Sequence, residues 1–222
     1  MSEITKDPDS IFTGVKSYLE KSFLEELNYK IWSTKGARFE ADKRLKIVSR
    51  TSNISLSILS AYLIIAGLIS VYNLKSNLNF DFINYIVTAL SIILLVLSLH
   101  ENAQDYKLRA NNFHNCSLEL STLYDRLRIF KTLTHEPTLE EKKDFAINLS
   151  NEYFLILSKY ENHISIDYKN FQLNHKEYFT KISSKDELLI TLKNQWIRYG
   201  WYTLLIFGVP ALIIFVSILT IK

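Results

Sequence analysis

Three long uncharged stretches constrain what this chain can fold into more than any other feature. They are Ile54 to Tyr72, Phe82 to Leu99 and Trp201 to Ile221. A helix rises about 1.5 Å per residue, so about 18 to 20 apolar residues cross the hydrocarbon core of a bilayer. A buried helix of a globular core is the alternative, but apolar runs of this length are rare in soluble proteins. We therefore predict an all-α membrane protein.

The third stretch differs from the first two because it contains Gly208 and Pro210. Spanning helices tolerate such residues where neighbouring groups satisfy the freed carbonyl, so we still predict a third span. Extensions of the spanning helices are predicted to form a helical cytoplasmic bundle. The four predicted regions are cytoplasmic N-terminal helices over 1–53, a two-helix transmembrane hairpin over 54–99 with spans at 54–72 and 82–99, a cytoplasmic helical region over 100–200, and a third transmembrane helix over 201–221.

Basic residues near the spans predict the orientation, because cytoplasmic flanks of spanning helices are enriched in Lys and Arg. The loop between the first two spans holds only Lys75, whereas Lys107 and Arg109 follow the second span. The N-terminus and residues 100–200 are therefore predicted to be cytoplasmic. The predicted positive-inside anchors before the first span are Arg38, Lys43, Arg44, Lys46 and Arg50.

The charged segments carry helical patterns, in which apolar residues recur at steps of three, four or seven. Gly36 loosens the first of these patterns. The helix of the second span is predicted to continue past His100 without a break, because neither Gly nor Pro interrupts it. The three predicted faces are Val15, Leu19, Phe23, Leu27 and Ile31; Tyr106, Ala110, Phe113, Leu120, Tyr124 and Leu127; and Ala146, Leu149, Tyr153, Ile156 and Tyr160.

Local signals mark the ends of the later helices. Pro137 predicts that the helix before it ends, because proline disfavours a helical conformation at the preceding residue. Thr138 with Glu141, and Ser184 with Glu187, fit capping boxes that start new helices. The irregular, aromatic segment 160–175 between them is predicted to be a turn with short helical pieces.

The sequence offers little catalytic chemistry. It contains no phosphate-binding or dinucleotide-binding glycine motif, no HExxH and no GxSxG. His163 with Asp167, and His114 with Cys116, are isolated pairs that lack the third group a metal or catalytic site needs. A net charge of +3 is too mild to favour direct nucleic-acid binding. We therefore predict no enzyme activity, no catalytic residue, no cofactor and no metal.

Polar residues follow one face of the second span. With Leu95 filling one step, the line continues to Asn112 in the cytoplasmic half. Small and hydroxylated residues are usual where membrane helices pack, and such a face can instead border water when several copies assemble. Both interpretations stay open. The first stripe is Asn84, Thr88, Ser91, Leu95, Ser98 and Asn102, and a second stripe on the first span is Asn53, Ser57, Ser60 and Gly67.

Four segments together resemble the SLATT family of two-span membrane effector domains from bacterial nucleotide-signalling conflict systems. They are WSTKGARFEADKRL, SLSILSAYLIIAGLISV, DYKLRANNFHNCSLELSTLYDRL and YENHISIDY, in that order. The resemblance implies an antiviral effector that oligomerises and permeabilises the bacterial inner membrane. It also implies a sensor or nucleotide-signalling partner, such as a reverse transcriptase or a nucleotidyltransferase, that triggers it. The third span departs from the two-span pattern of the family.

Two other classes of function share this architecture. A small housekeeping channel or transporter should carry broken helices or intramembrane charges, and only Pro210 suggests that. A membrane-tethered scaffold that recruits a soluble partner would need no polar stripe. Toxicity on expression separates them, because an effector released from control should arrest growth and a scaffold should not.

Overall fold

The computed structural model describes residues 22–72 and 80–220, and the side chains of these except 80–83, 209 and 212–220. All the secondary structure in these residues is helical, as the sequence predicted. The predictions that concern Val15, Leu19 and the loop at 73–79 lie outside the described residues. The elements are α1 (Phe23–Val71), α2 (Phe80–Ala103), α3 (Tyr106–Leu133), α4 (Leu139–Lys159), α5 (Ser165–Leu173), α6 (Ser184–Gln195), a π-helical turn (Trp196–Gly200) and α7 (Trp201–Thr220).

Helix α1 is a single helix of 49 residues that runs through Gly36 without a break. The loosening expected at this glycine is therefore absent. A Cβ atom at position 36 would lie 2.1 Å from the ring of Phe171. The glycine instead allows this ring to pack directly on the helix backbone, and Trp32 packs edge-on against the same ring with centroids 4.7 Å apart. These contacts hold α5 on α1.

The predicted continuous helix after the second span is wrong, because it breaks between α2 and α3. The backbone N–H of Gln104 and that of Asp105 bond to carbonyls only three residues back, at 3.3 and 3.4 Å, which ends α2 in a tight turn. Asp105 has a φ of 49°, in the left-handed region that aspartate tolerates better than most residues. Its carbonyl then accepts from Arg109 N–H at 2.9 Å as α3 begins. Neither Gly nor Pro was needed for this break.

The described residues divide into two units, and the first, here called the polar unit, comprises 22–44 and 110–193. Its core confirms the predicted faces of α1, α3 and α4, although Phe23 at the start of α1 is exposed. Stacked rings of Phe130 and Phe145, with centroids 3.9 Å apart, pair α3 with α4. The buried core cluster consists of Leu27, Ile31, Cys116, Leu120, Leu123, Leu127, Leu149 and Ile156.

The helix ends in this unit follow the local chemistry of the sequence, with one shift. Helix α3 ends at Leu133 before Pro137, and Thr138 and Glu141 form the predicted capping box. The second box lies one residue earlier than predicted. Ser183 N–H donates to Asp186, and the Ser183 hydroxyl accepts from the backbone of Lys185. Ser183 therefore caps α6, and Ser184 is its first residue.

The second unit, here called the membrane unit, comprises 45–72, 80–109 and 194–220. It is wider than the predicted spans, because it includes about two turns of α1 before the uncharged stretch. One face of α1 is buried at Ser52, Ser55 and Leu59, and in the first turn of α7 the side chain of Tyr202 is buried. The three helices surround an apolar cavity, which is lined by Leu59, Tyr62, Leu63, Leu90, Ile93, Leu94, Leu97 and Leu205.

Two helical stretches of the described residues are long and apolar enough to cross a membrane. They are Phe23–Val71, which is α1, and Asn84–Leu133, which takes in most of α2 and all of α3. Helix α7 is shorter, with 20 residues, and carries Pro210 inside it. Its sequence contains no charged residue.

Candidate functional site

The predicted stripe on α2 faces away from the other helices of its own chain. Thr88, Ser91 and Asn102 are exposed, Leu95 is 61% exposed, and Ser98 is half-buried. The chain packs α2 through its opposite face, because leucines of that face line the apolar cavity. These exposed members of the stripe are therefore not used for packing within one chain, whereas its first member is.

That first member, Asn84, belongs to the hairpin itself. Its side-chain oxygen accepts from the hydroxyl of Ser70 at 2.6 Å, and Ser70 is buried near the end of α1. This bond ties the last turns of α1 to the first turns of α2. The outward part of the stripe consequently begins at Thr88.

The exposed hydroxyls of the stripe satisfy themselves within their own helix. Thr88 Oγ1 donates to the carbonyl of Asn84 at 2.8 Å, and Ser91 Oγ donates to that of Val87 at 2.7 Å. An unsatisfied polar group in hydrocarbon costs several kcal/mol, and a bond to the carbonyl one turn earlier removes that cost. The stripe can thus face lipid in a single chain without a partner.

The second stripe, on α1, also faces outward. Asn53, Ser57 and Ser60 are exposed, and the two serines donate to carbonyls one turn earlier at 2.9 and 2.8 Å. Gly67 has open space beside it, since a Cβ atom there would meet nothing within 4 Å. Neither stripe is covered by the described part of the chain, and both are available to lipid or to a second copy.

A polar junction that sequence reasoning missed joins three helices of the membrane unit. Ser52 on α1 donates to Glu101 on α2 at 2.7 Å, and Tyr202 on α7 donates to the same carboxylate oxygen at 2.8 Å. Ser52 and Tyr202 are only 3% and 5% exposed. One signal was present, because Ser52, Ser55 and Leu59 follow the three-four spacing of a packed helix face.

Two of the five predicted anchors are buried inside the polar unit. Arg38 is 1% exposed and Arg44 is 7% exposed. Arg44 forms a two-pronged ion pair with the fully buried Asp167, with Nε and Nη2 at 2.7 and 3.0 Å from the two oxygens. Lys43, Lys46 and Arg50 are exposed. The guanidinium of Arg44 thus has its counter-charge within the protein, whereas Arg38 donates to the neutral amide oxygen of Asn162 at 3.0 Å.

The residues considered for catalysis serve the core of the polar unit. Asp167 accepts from Arg44 and also from the backbone N–H of Ile164 at 3.1 Å, which caps α5. Burial, with a further effect of the nearby Arg38 charge, lowers the pKa of His163. Burial raises the pKa of the Cys116 thiol, which keeps it protonated and unreactive. In the described ranges, 22–72 and 80–220, no three His, Cys, Asp or Glu residues are placed to hold a metal.

Two apolar helical stretches, outward polar stripes and a helical polar unit define the class of this molecule as a helical membrane protein. The chain belongs to the SMODS and SLOG-associating 2TM effector domain family 5, whose model matches residues 20–221. This finding confirms the resemblance to the SLATT family. No curated protein and no solved structure matches the chain.

Proposed function

We propose that this chain is the membrane effector of a bacterial anti-phage or conflict system. In this proposal it oligomerises in the inner membrane and permeabilises it when a partner or a nucleotide signal triggers it. The description of its family as a two-span effector domain supports the effector role. The two apolar helical stretches support the membrane location.

The outward direction of the α2 stripe is the observation that carries the permeabilisation step. One chain offers at most three spans, which are too few to enclose a water path. Thr88, Ser91 and Asn102 are exposed in the single chain, while Leu90, Leu94 and Leu97 on the opposite face of α2 are half-buried. Several copies could therefore bring these faces together around water without breaking the packing inside each chain.

The chemistry of the stripe favours a weakly selective pore. Neither Asp, Glu, Lys nor Arg occurs between Phe82 and Leu99, so no ring of fixed charge would select ions. Leu95 is the exposed apolar residue in the middle of the stripe, and a ring of such residues gates by dewetting. The absence of charge also argues against a proton-coupled transporter.

The proposed orientation keeps the N-terminus and residues 100–200 in the cytoplasm and α7 as a third span. The exposed Lys43, Lys46 and Arg50 before the first span support it, and so does the packing of Tyr202 beside α1 and α2. Cysteine labelling of intact cells at Asn77 and at the exposed Lys185 tests this. Labelling at Asn77 alone is expected, and labelling at Lys185 alone would contradict it. The native Cys116 is fully buried and does not compete.

A partner that delivers the trigger has an exposed apolar face to bind on α4. Ile147 and Phe154 lie seven residues apart on one face and are 48% and 70% exposed. This observation also favours the alternative of a membrane-tethered scaffold that recruits a soluble protein. The scaffold and the effector share the docking step and differ only in whether the membrane leaks.

Expression and leakage measurements decide between these functions. The purified chain in vesicles is expected to release small dyes of either charge, and unregulated expression is expected to arrest growth. A matched chain with Leu95→Trp should release less dye at equal insertion, because the larger side chain narrows the water path at the proposed gate. Growth without arrest, together with tight vesicles at every protein density, would favour the scaffold.

A further inference from the structure

Side chains of three helices of the membrane unit meet at a single atom in the junction of Ser52, Glu101 and Tyr202. Both hydroxyls donate to the same oxygen of Glu101, at 2.7 and 2.8 Å. Glu101 comes two residues after the last uncharged residue of the second span. The junction thus lies where the apolar stretches of α1, α2 and α7 begin or end.

The junction is also in contact with α3. Tyr106, the first residue of α3, interacts with Tyr202. Between Glu101 and Tyr106 lies the break at Asp105, where the backbone adopts its left-handed conformation. Helix α3 later contributes Leu120 and Leu127 to the core of the polar unit. A turn of α3 about Asp105 would therefore move Tyr106 and disturb the junction directly.

We propose that Ser52, Glu101, Tyr202 and Tyr106 form a latch that holds α1, α2 and α7 in the closed arrangement until a movement of α3 releases it. Bonds to a carboxylate are stronger than those between neutral groups, and an oxygen that loses its donors in a partly buried place is costly. The latch therefore favours one arrangement of the three helices. The link to leakage rests on the proposed function, whereas the holding role does not.

The test removes the two donors and leaves the shapes of the side chains. Ser52→Ala with Tyr202→Phe deletes both hydroxyls that bond to Glu101. The matched control is Ser55→Ala with Tyr85→Phe, because Ser55 is as buried as Ser52 but bonds to the carbonyl of Thr51 in its own helix, and Tyr85 is 72% exposed. Spin labels at the exposed Leu99 on α2 and Leu204 on α7 report the spacing of these helices in lipid nanodiscs. Dye release from vesicles is measured on the wild type, the double variant and the control without labels.

The double variant is expected to broaden the distance distribution between α2 and α7 and to raise basal leakage roughly tenfold for each bond removed. The control should match the wild type in both measurements. An unchanged distance distribution in a double variant that inserts and keeps its helical content would overturn the latch. A changed distribution while every chain stays tight would support the latch and count against permeabilisation. If the double variant does not fold, Tyr202→Phe alone is held to the same distance criterion.

Discussion

The polar unit and the membrane unit solve the same problem of buried polar groups in opposite ways. The polar unit buries full charges and neutralises them across the fold, as Arg44 does with Asp167. In the membrane unit, the exposed hydroxyls bond to carbonyls one turn back in the same helix, as those of Ser57, Ser60, Thr88 and Ser91 do. The comparison teaches that polar residues in the first unit specify how helices pair. In the second they leave the outer faces free for another use.

The largest effect is expected from breaking the charge pair of the polar unit. Arg44→Met leaves Asp167 as an unpaired buried charge and should lower the free energy of unfolding by about 3 to 5 kcal/mol. The double change Arg44→Met with Asp167→Asn removes both charges and should recover most of that loss. The stability of each chain is measured from the midpoint of the loss of helical circular dichroism on heating in detergent.

Lys143→Met is the control for this experiment, because Lys143 also belongs to the polar unit but is exposed. It should leave the midpoint within a degree or two of the wild type, as surface changes usually do. If the double variant were as unstable as Arg44→Met, the loss of stability would not come from an unpaired charge on Asp167.

The two glycines of α1 give the next comparison, since one lies in each unit. Gly36→Ala would force a methyl group into the Phe171 ring and should cost about 1 to 3 kcal/mol. Gly67→Ala meets open space and should leave thermal stability unchanged or slightly raised. Equal destabilisation by the two changes would mean that α1 is packed alike in both units.

A bulky residue on the α2 stripe should change leakage more than the same residue elsewhere on the helix. Ser91→Trp is expected to change dye release on the order of tenfold, equivalent to about 1.4 kcal/mol. Val96→Trp is the control, because Val96 is 59% exposed and lies off the stripe. Ile93 is less suitable, since it lines the apolar cavity. A stronger effect of Val96→Trp at equal insertion would remove the stripe from the pore.

The smallest expected effect is a dependence of stability on pH that comes from His163 in the polar unit. The pKa of His163 is lowered in the folded protein, so the unfolded chain binds a proton more readily there. Stability should therefore fall as the pH drops through about 6.5, the ordinary value for histidine. His163→Gln should weaken this dependence between pH 8 and pH 5.5, and the exposed His135→Gln should not. The same change of melting midpoint with pH in the two variants would contradict this prediction.

Local features of the fold could be predicted from the sequence, and contacts between distant segments could not. The capping box at Thr138 and the buried faces of α3 and α4 follow from spacing and side-chain chemistry. The pairing of Arg44 with Asp167 joins residues 123 positions apart, and only the fold brings them together. That pairing places Arg44, one of the predicted anchors, in the core of the polar unit.

The candidate site shows the same division. The periodicity of the polar stripe was visible in the sequence because a helix repeats regularly. The break in the helix at Asp105 was not visible, because most aspartates do not adopt the left-handed backbone conformation found at this residue. The bonds to Glu101 escaped notice for another reason, since each donor comes from a different helix.

The back-bonded hydroxyls of Thr88 and Ser91 have a consequence for how the cell could store this protein. A chain whose polar face is already satisfied can leave the translocon and diffuse as a monomer at little energetic cost. A dormant pool could then accumulate harmlessly at low copy number. Because the proposed pore needs several chains, the number of pores would follow mass action and rise as a high power of the monomer density. Damage to the membrane would then begin abruptly over a narrow range of expression.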